Sequence, residues 1–218
     1  LPPHKEGFQD VIRVFALRAR RAGVDLQVGS EVTAESVQAA QPDAVVLATG
    51  GIPLTVPLPG LDQTRWLLAT DLLDGAAEVA TASALVVGGG LVGLEAADFL
   101  AARGTHVTVV EMLGEVGANM DPLAKAMILR RLEQQGAALR THCEVVELTA
   151  DAATIRQAGE ESVLPCETVV VAVGVRPNRA LADVLSNTAQ EIHVIGDAVE
   201  PRTAGDAVRE GYAIGCRL

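Results

Sequence analysis

The stretch Ser83-Ala84-Leu85-Val86-Val87-Gly88-Gly89-Gly90-Leu91-Val92-Gly93-Leu94-Glu95-Ala96-Ala97 decides how this chain folds. Ala84 to Val87 is a short apolar run of the kind that forms a buried parallel strand. It breaks into three glycines and then into a helical pattern, so that G-x-G-x-x-G falls at Gly88, Gly90 and Gly93. Gly88 permits the tight turn out of the strand. Gly90 lets the backbone approach a pyrophosphate, and Gly93 lets the helix pack closely on the sheet. The binding turn therefore comprises Gly88, Gly89, Gly90, Leu91, Val92 and Gly93, where unpaired N–H groups and a positive dipole end face phosphates.

A glycine turn alone is common, and its surroundings carry the argument. The helical pattern runs from Leu91 to about Arg103 and stops at Gly104. A second strand, His106 to Val110, ends at Glu111, roughly twenty residues past the glycines, where a carboxylate takes the adenosine ribose hydroxyls. This predicts a dinucleotide-binding βαβ unit. Glu111 favours NAD over NADP because it repels an added phosphate, and Met112 offers no arginine to receive one. Other loop residues, such as Arg140, could alter this preference. NADP and ADP stay open, since both place a pyrophosphate on the same turn.

Composition narrows the remaining classes. The chain has 218 residues, 49% of them apolar, which is enough for a real core. Aromatics make up only 2%, so stacking of bases on exposed rings is not expected. A formal charge of −11 argues against nucleic acid and anionic membrane surfaces as partners. Cys143, Cys166 and Cys216 are widely spaced, with no C-x-x-C, and the four histidines show no ligand spacing, so no metal is expected. There is no signal peptide or membrane-spanning run, and the expected location is the cytoplasm.

Taken in order, the chain opens with a helical pattern from about Glu6 to Arg21, then a strand at Val24 to Val28 and a short helix near Ala34 to Ala40. Asp43 to Gly51 reads as another buried parallel strand, followed by a loop with Pro53, Pro57 and Pro59, a composition typical of a crossover between domains. Asp71 to Gly75 reads as a helical turn. After Glu111, Asp121-Pro122 starts a helix running to about Gly136. Short strands are expected at Ala138–Arg140, Glu144–Leu148, Ala153–Gln157 and Val163–Leu164. Thr168 to Gly174 echoes the Val45 to Gly50 segment as a buried strand ending in glycine. The last unit is a strand, Ile192 to Ile195, and a helix from about Thr203 to Ile214.

Four ordered motifs carry a family resemblance: Ala48-Thr49-Gly50, the glycine turn with Glu111, Gly174-x-Arg176-Pro177-Asn178, and Ile195-Gly196-Asp197. With Val110-Glu111-Met112 and Gly196-Asp197-Ala198-Val199-Glu200-Pro201-Arg202, the chain resembles flavoprotein reductases with two dinucleotide-binding domains. It is most similar to the C-terminal region of the NADH:flavin oxidoreductase, 2,4-dienoyl-CoA reductase and trimethylamine dehydrogenase group. The resemblance implies an α/β fold, with a Rossmann-like NAD(P)-binding domain at 75–173. That domain is inserted into a truncated FAD-binding domain of the pyridine nucleotide-disulfide oxidoreductase type, at 1–74 and 174–218.

It also implies roles. Gly196 and Asp197 match the FAD signature, with the aspartate on the ribityl chain and the following helix facing the pyrophosphate. Thr49 and Gly50 match the crossing beside the flavin, Val32 a backbone contact to the FAD adenine, and Glu95 an acid near the nicotinamide. Gly174 belongs to the cofactor-binding set through its motif. No catalytic residue is named, because a hydride passes between cofactors. FAD belongs to the intact parent, and the missing first glycine motif makes its site here incomplete. A missing flavin barrel or FAD half-domain, or self-association, would cover the sheet edge left open. In the trimethylamine dehydrogenase branch the corresponding domain holds ADP without turnover, so a non-catalytic nucleotide module is the alternative to an oxidoreductase. A purely structural domain is the third.

Overall fold

The computed structural model describes residues 3–5, 7–186 and 191–218. Its first elements are α1 (Gly7–Arg21), α2 (Ala34–Ala40), β1 (Ala44–Leu47), β2 (Gly51–Pro53), β3 (Trp66–Leu68) and α3 (Ala69–Asp74). There follow β4 (Ser83–Val87), α4 (Leu91–Ala101), β5 (His106–Val110), α5 (Pro122–Gln134) and β6 (Ala138–Arg140). The chain continues with β7 (Cys143–Leu148), β8 (Ala152–Gln157), β9 (Glu160–Pro165) and β10 (Thr168–Val171). It ends with β11 (Val175–Pro177), α6 (Ala180–Leu185), β12 (Glu191–Val194) and α7 (Ala204–Gly215). Two compact units result, one formed by Leu1–Val14 with Pro53–Gly174 and the other by Phe15–Ile52 with Val175–Leu218.

The first unit is built on a five-stranded sheet in the order β3-β10-β4-β5-β6, with every pair parallel. Alternation along β4 sorts its side chains to two cores, because successive residues of a strand point to opposite faces. Ala84 and Val86 join Leu94, Leu100, Val109 and Leu132 in one cluster, under α3, α4 and α5. Leu85 and Val87 join Leu148, Ile155 and Val169 in the other, under the antiparallel β7-β8-β9 sheet. Covered on both faces, β4 is apolar from Ala84 to Val87 and β10 from Val169 to Val171, as suits a central parallel strand. The architecture is α/β and Rossmann-like.

Most expected elements are present, and the differences have physical causes. Asp121 caps α5, accepting from the N–H groups of Leu123 and Ala124, with Pro122 at the first helical position. The central helix ends at Ala101, and Gly104, at φ +86°, makes the turn after it. The strand expected at Val24–Val28 does not form. β1 pairs only with β12 among the described residues, so that segment has no ladder to join, and Val28 is 84% exposed. β1 itself is half-buried rather than buried, with Val46 39% exposed. The expected start of α1, Glu6, lies outside the described residues.

The proline-rich loop is knitted into the first unit. The N–H of Leu148 donates to Pro59 O (2.8 Å), the Thr64 hydroxyl donates to Thr149 O (2.9 Å), and a Cβ on Gly60 would sit 1.8 Å from Leu148 O. Among the described residues no helix is long and apolar enough to cross a membrane.

Candidate dinucleotide-binding site

The turn between β4 and α4 shows why each glycine is there. Gly88 has φ +104°, and a Cβ on it would lie 2.3 Å from Ala172 O. Its N–H donates to Val110 O at 2.9 Å, locking the turn to the end of β5. A Cβ on Gly93 would lie 2.0 Å from Gly88 O, so only glycine lets α4 sit this close to the strand it leaves. Gly90 differs: it is exposed, has an ordinary φ of −72°, and a Cβ on it would meet nothing within 4 Å. The open space over Gly90 is where a ligand can approach the backbone. Gly90 is also the N-cap of α4 and supplies no side-chain cap, which leaves the dipole end to an outside anion. Leu91 is exposed and Val92 half-buried on that first turn.

Glu111 stands beside the turn. Its Oε2 accepts from the Gly89 N–H (2.7 Å) and its Oε1 from the Leu113 N–H (2.8 Å), which fixes the carboxylate against the glycines. Met112 is 70% exposed. A contribution absent from the sequence reading comes from Val116 and Gly117. Both are buried, the Gly117 N–H donates to Gly89 O (2.7 Å), and a Cβ on Gly89 would meet Val116 at 2.6 Å. Thus the loop after Glu111 braces the turn, and the signal for it was the Gly114 and Gly117 pair in that loop.

Glu95, one turn into α4, is buried and ion-paired with Lys5. The resemblance puts this acid near a nicotinamide; here its carboxylate already has a cation. Gly174, at φ +112°, accepts from the Leu54 N–H at 2.9 Å just beyond β10.

Next to Glu111 the three-stranded sheet carries a charge cluster that the sequence reading did not find. Register places Arg156 of β8 directly opposite Glu144 of β7 and Glu161 of β9. Arg156 Nη1 reaches Glu144 Oε1 at 2.6 Å, and Nη2 reaches Glu161 Oε1 at 2.7 Å. Hydrogen bonds to Glu161 and then Glu144 raise the guanidinium pKa above its usual value. The sequence signal is Ala158-Gly159, both at positive φ, a two-residue hairpin turn that sets Arg156 against Glu161. Burial pushes the nearby Cys143 thiol, and that of Cys166, up from the ordinary range.

In the second unit, Gly196 and Asp197 lie at the end of β12 in a short 3-10 turn, Gly196–Ala198. Gly196 has φ +63°, and its N–H donates to Glu210 Oε2 at 2.6 Å, a bond that with Arg202 holds the Glu210 pKa low. Asp197 Oδ1 accepts from the Arg202 N–H at 3.2 Å. The following helix starts at Ala204, and its first turn is closed by Thr203 and Asp206 in a capping box. Thr49 donates its hydroxyl to Asn178 O (2.7 Å), and Gly50, at φ +71°, accepts from the Asn178 N–H (3.0 Å). The Thr49–Gly50 crossing is thereby joined to Asn178 at the end of the Gly174 motif. Val32 is 57% exposed in a segment without regular structure. Among the described residues no group of three or more His, Cys, Asp or Glu could hold a metal.

Residues 9–211 match the family model described as pyridine nucleotide-disulphide oxidoreductase. An NADH oxidase of Thermoanaerobacter brockii is 32% identical over 203 residues, covering 91% of this chain and 31% of the relative. A bilirubin reductase of Mediterraneibacter gnavus is 32% identical over 215 residues, covering 97% of this chain and 33% of the relative. A 2-naphthoyl-CoA reductase in complex with 2-naphthoyl-CoA superposes with a TM-score of 0.93 at 26% identity, over 100% of this chain and 33% of that one. The chain thus spans about a third of the length of the relatives it matches.

Proposed function

Since the chain belongs to the pyridine nucleotide-disulphide oxidoreductase family, we propose that it is the dinucleotide-handling part of a flavin-dependent oxidoreductase. In this reading a nicotinamide dinucleotide, NAD rather than NADP, lies on the glycine turn. The observation that carries it is the open approach to Gly90 beside the anchored carboxylate of Glu111. The turn N–H groups would hold the pyrophosphate and Glu111 the adenosine ribose. When bound, the nicotinamide supplies a hydride and FAD accepts it; the chain's residues orient the dinucleotide and exclude water. FAD would be met by Asp197 through its remaining oxygen and by the Thr49–Gly50 crossing. The names of the similar proteins, an NADH oxidase and a bilirubin reductase, support an oxidoreductase parent. The apolar side of α1, with Phe8, Ile12 and Phe15 about half-exposed or more, would be covered by another segment of the parent or by a second copy.

One observation favours a second reading. Glu95, which the resemblance puts near a nicotinamide, is paired with Lys5 and not free, which suits a module that holds ADP without turnover. A titration of Trp66 emission separates the two. Trp66 lies two strands from β4, about 10 Å across the sheet. Saturable quenching by NADH, weakened more than about tenfold by E111A, is the expected result. Displacement of NADH by ADP at equal affinity would favour the ADP module, and the absence of any quenching would sink both readings.

A further inference from the structure

We propose that Arg156, clamped between Glu144 and Glu161, is a specificity-determining residue that withholds its charge from any adenosine 2′-phosphate and so enforces the preference for NAD. The inference rests on the reading that Glu111 holds the adenosine ribose. A cleft of about 280 Å³ opens at the end of β5, and Met112, His142, Glu144 and Arg156 line it. Its wall is tied to the ribose acid by main-chain bonds. The Cys143 N–H donates to Glu111 O, and the His142 N–H donates to Leu113 O, both at 2.9 Å. An adenosine anchored at Glu111 therefore has this cleft as its neighbour.

Dinucleotides bearing a 2′-phosphate are selected by an arginine whose donors are free to take it. Arg156 is the arginine of this cleft, and each of its three nitrogens is engaged by a carboxylate. Nη1 goes to Glu144, while Nε (3.2 Å) and Nη2 both go to Glu161 Oε1. Two carboxylates around one guanidinium leave the triad with a net charge of −1, which repels a phosphate rather than attracting one. A phosphate that reached the two remaining N–H groups would meet a guanidinium whose charge is already outweighed by two carboxylates. The register of the three strands places both carboxylates directly opposite it, so release is opposed from both sides. Glu111 alone could account for a preference, but Glu111 is also held by Gly89 and Leu113. The clamp is a separate element on a separate sheet, and it can be changed without touching the glycine turn.

The test is the ratio of NADPH to NADH dissociation constants, read by Trp66 emission at about pH 8, where imidazoles are ordinarily uncharged. E144Q/E161Q frees Arg156, and the ratio is expected to fall about tenfold, the size of one charge-assisted bond. Adding R156M to that background should remove the gain. A ratio unmoved in E144Q/E161Q while NADH still binds would overturn this proposal and leave the dinucleotide reading standing. A gain that survives R156M would overturn it too, by assigning the effect to lost repulsion. Failure of the unaltered chain to bind either nucleotide would remove the dinucleotide reading and this proposal with it.

Discussion

Thr168–Val171 and Ala44–Leu47 start from almost the same signal, an apolar run that ends in glycine, and reach different physical states. β10 lies between β3 and β4, has a core on each face, and all four of its residues are buried. β1 has β12 as its one partner among the described residues, buries Leu47, and leaves Val46 39% exposed. The cluster it belongs to buries Val37, Leu47 and Leu185. An apolar strand is thus buried by its neighbours and not by its own composition; the residues state what could be covered, and the topology decides how much is. The glycine turn leaves β4, a strand covered on both faces. Fixed backbone there lets glycines be read by atomic distance.

The largest expected effect sharpens this point at the turn itself. Gly88→Ala combines a φ of +104° with a Cβ placed 2.3 Å from a backbone oxygen. Strain and overpacking together should cost about 4 kcal/mol. Gly90→Ala meets nothing and has an unstrained φ. It should cost under about 1 kcal/mol of stability yet weaken nucleotide binding by more than about tenfold, because the methyl group takes the ligand's space. Urea denaturation and NADH titration of both variants check this. Equal loss of stability in the two would break the division into a packing glycine and a ligand glycine.

The next effect compares the two strand environments directly. Leu85→Ala removes a side chain with 0% exposure between β4 and the antiparallel sheet, and should cost about 3 kcal/mol. Val46→Ala removes a side chain already half in water and should cost under about 1 kcal/mol. Comparable values by chemical denaturation would mean that β1 is covered in solution by something outside these elements, and the contrast drawn above would fail.

How far the residues alone could be read follows the same division. The glycine turn, the Asp121 cap and the buried run of β4 were legible, because each depends on contacts within a few residues or on one unbroken apolar run, and Glu111 was legible because one strand–helix–strand unit fixes its spacing from the glycines. The Lys5–Glu95 pair spans ninety positions in sequence, and no local pattern announces it. Arg156 between its two glutamates depends on strand register, legible only if Ala158-Gly159 is recognised as a two-residue hairpin turn. Val24–Val28 misled because a β-prone run becomes a strand only when a ladder is offered. Glu210, fourteen positions from the glycine whose N–H it holds, shows the remaining gap: helix phase had to be known before its carboxylate could be aimed.

The smallest effect belongs to the second unit, where α7 depends on local capping rather than on deep burial. Asp206 closes the capping box with Thr203 and also meets Arg209; these bonds, the Thr203 hydroxyl first, bring its pKa from 3.8 down to about 2. A carboxylate with a depressed folded-state pKa contributes fully above its unfolded value, and the contribution is lost as pH falls through the folded value. The window therefore lies between pH 3.8 and about 2. Amide hydrogen exchange across Ala204–Gly215 should show protection falling over that window, ahead of Ala84–Val87 of β4, whose side chains lie in apolar cores. In D206N the pH dependence should flatten, because the side chain that titrates has been replaced by a neutral amide. If α7 instead kept its protection down to about pH 2 and lost it together with β4, the helix would be held by packing like the first unit, and the two regions would differ less than the strands suggest.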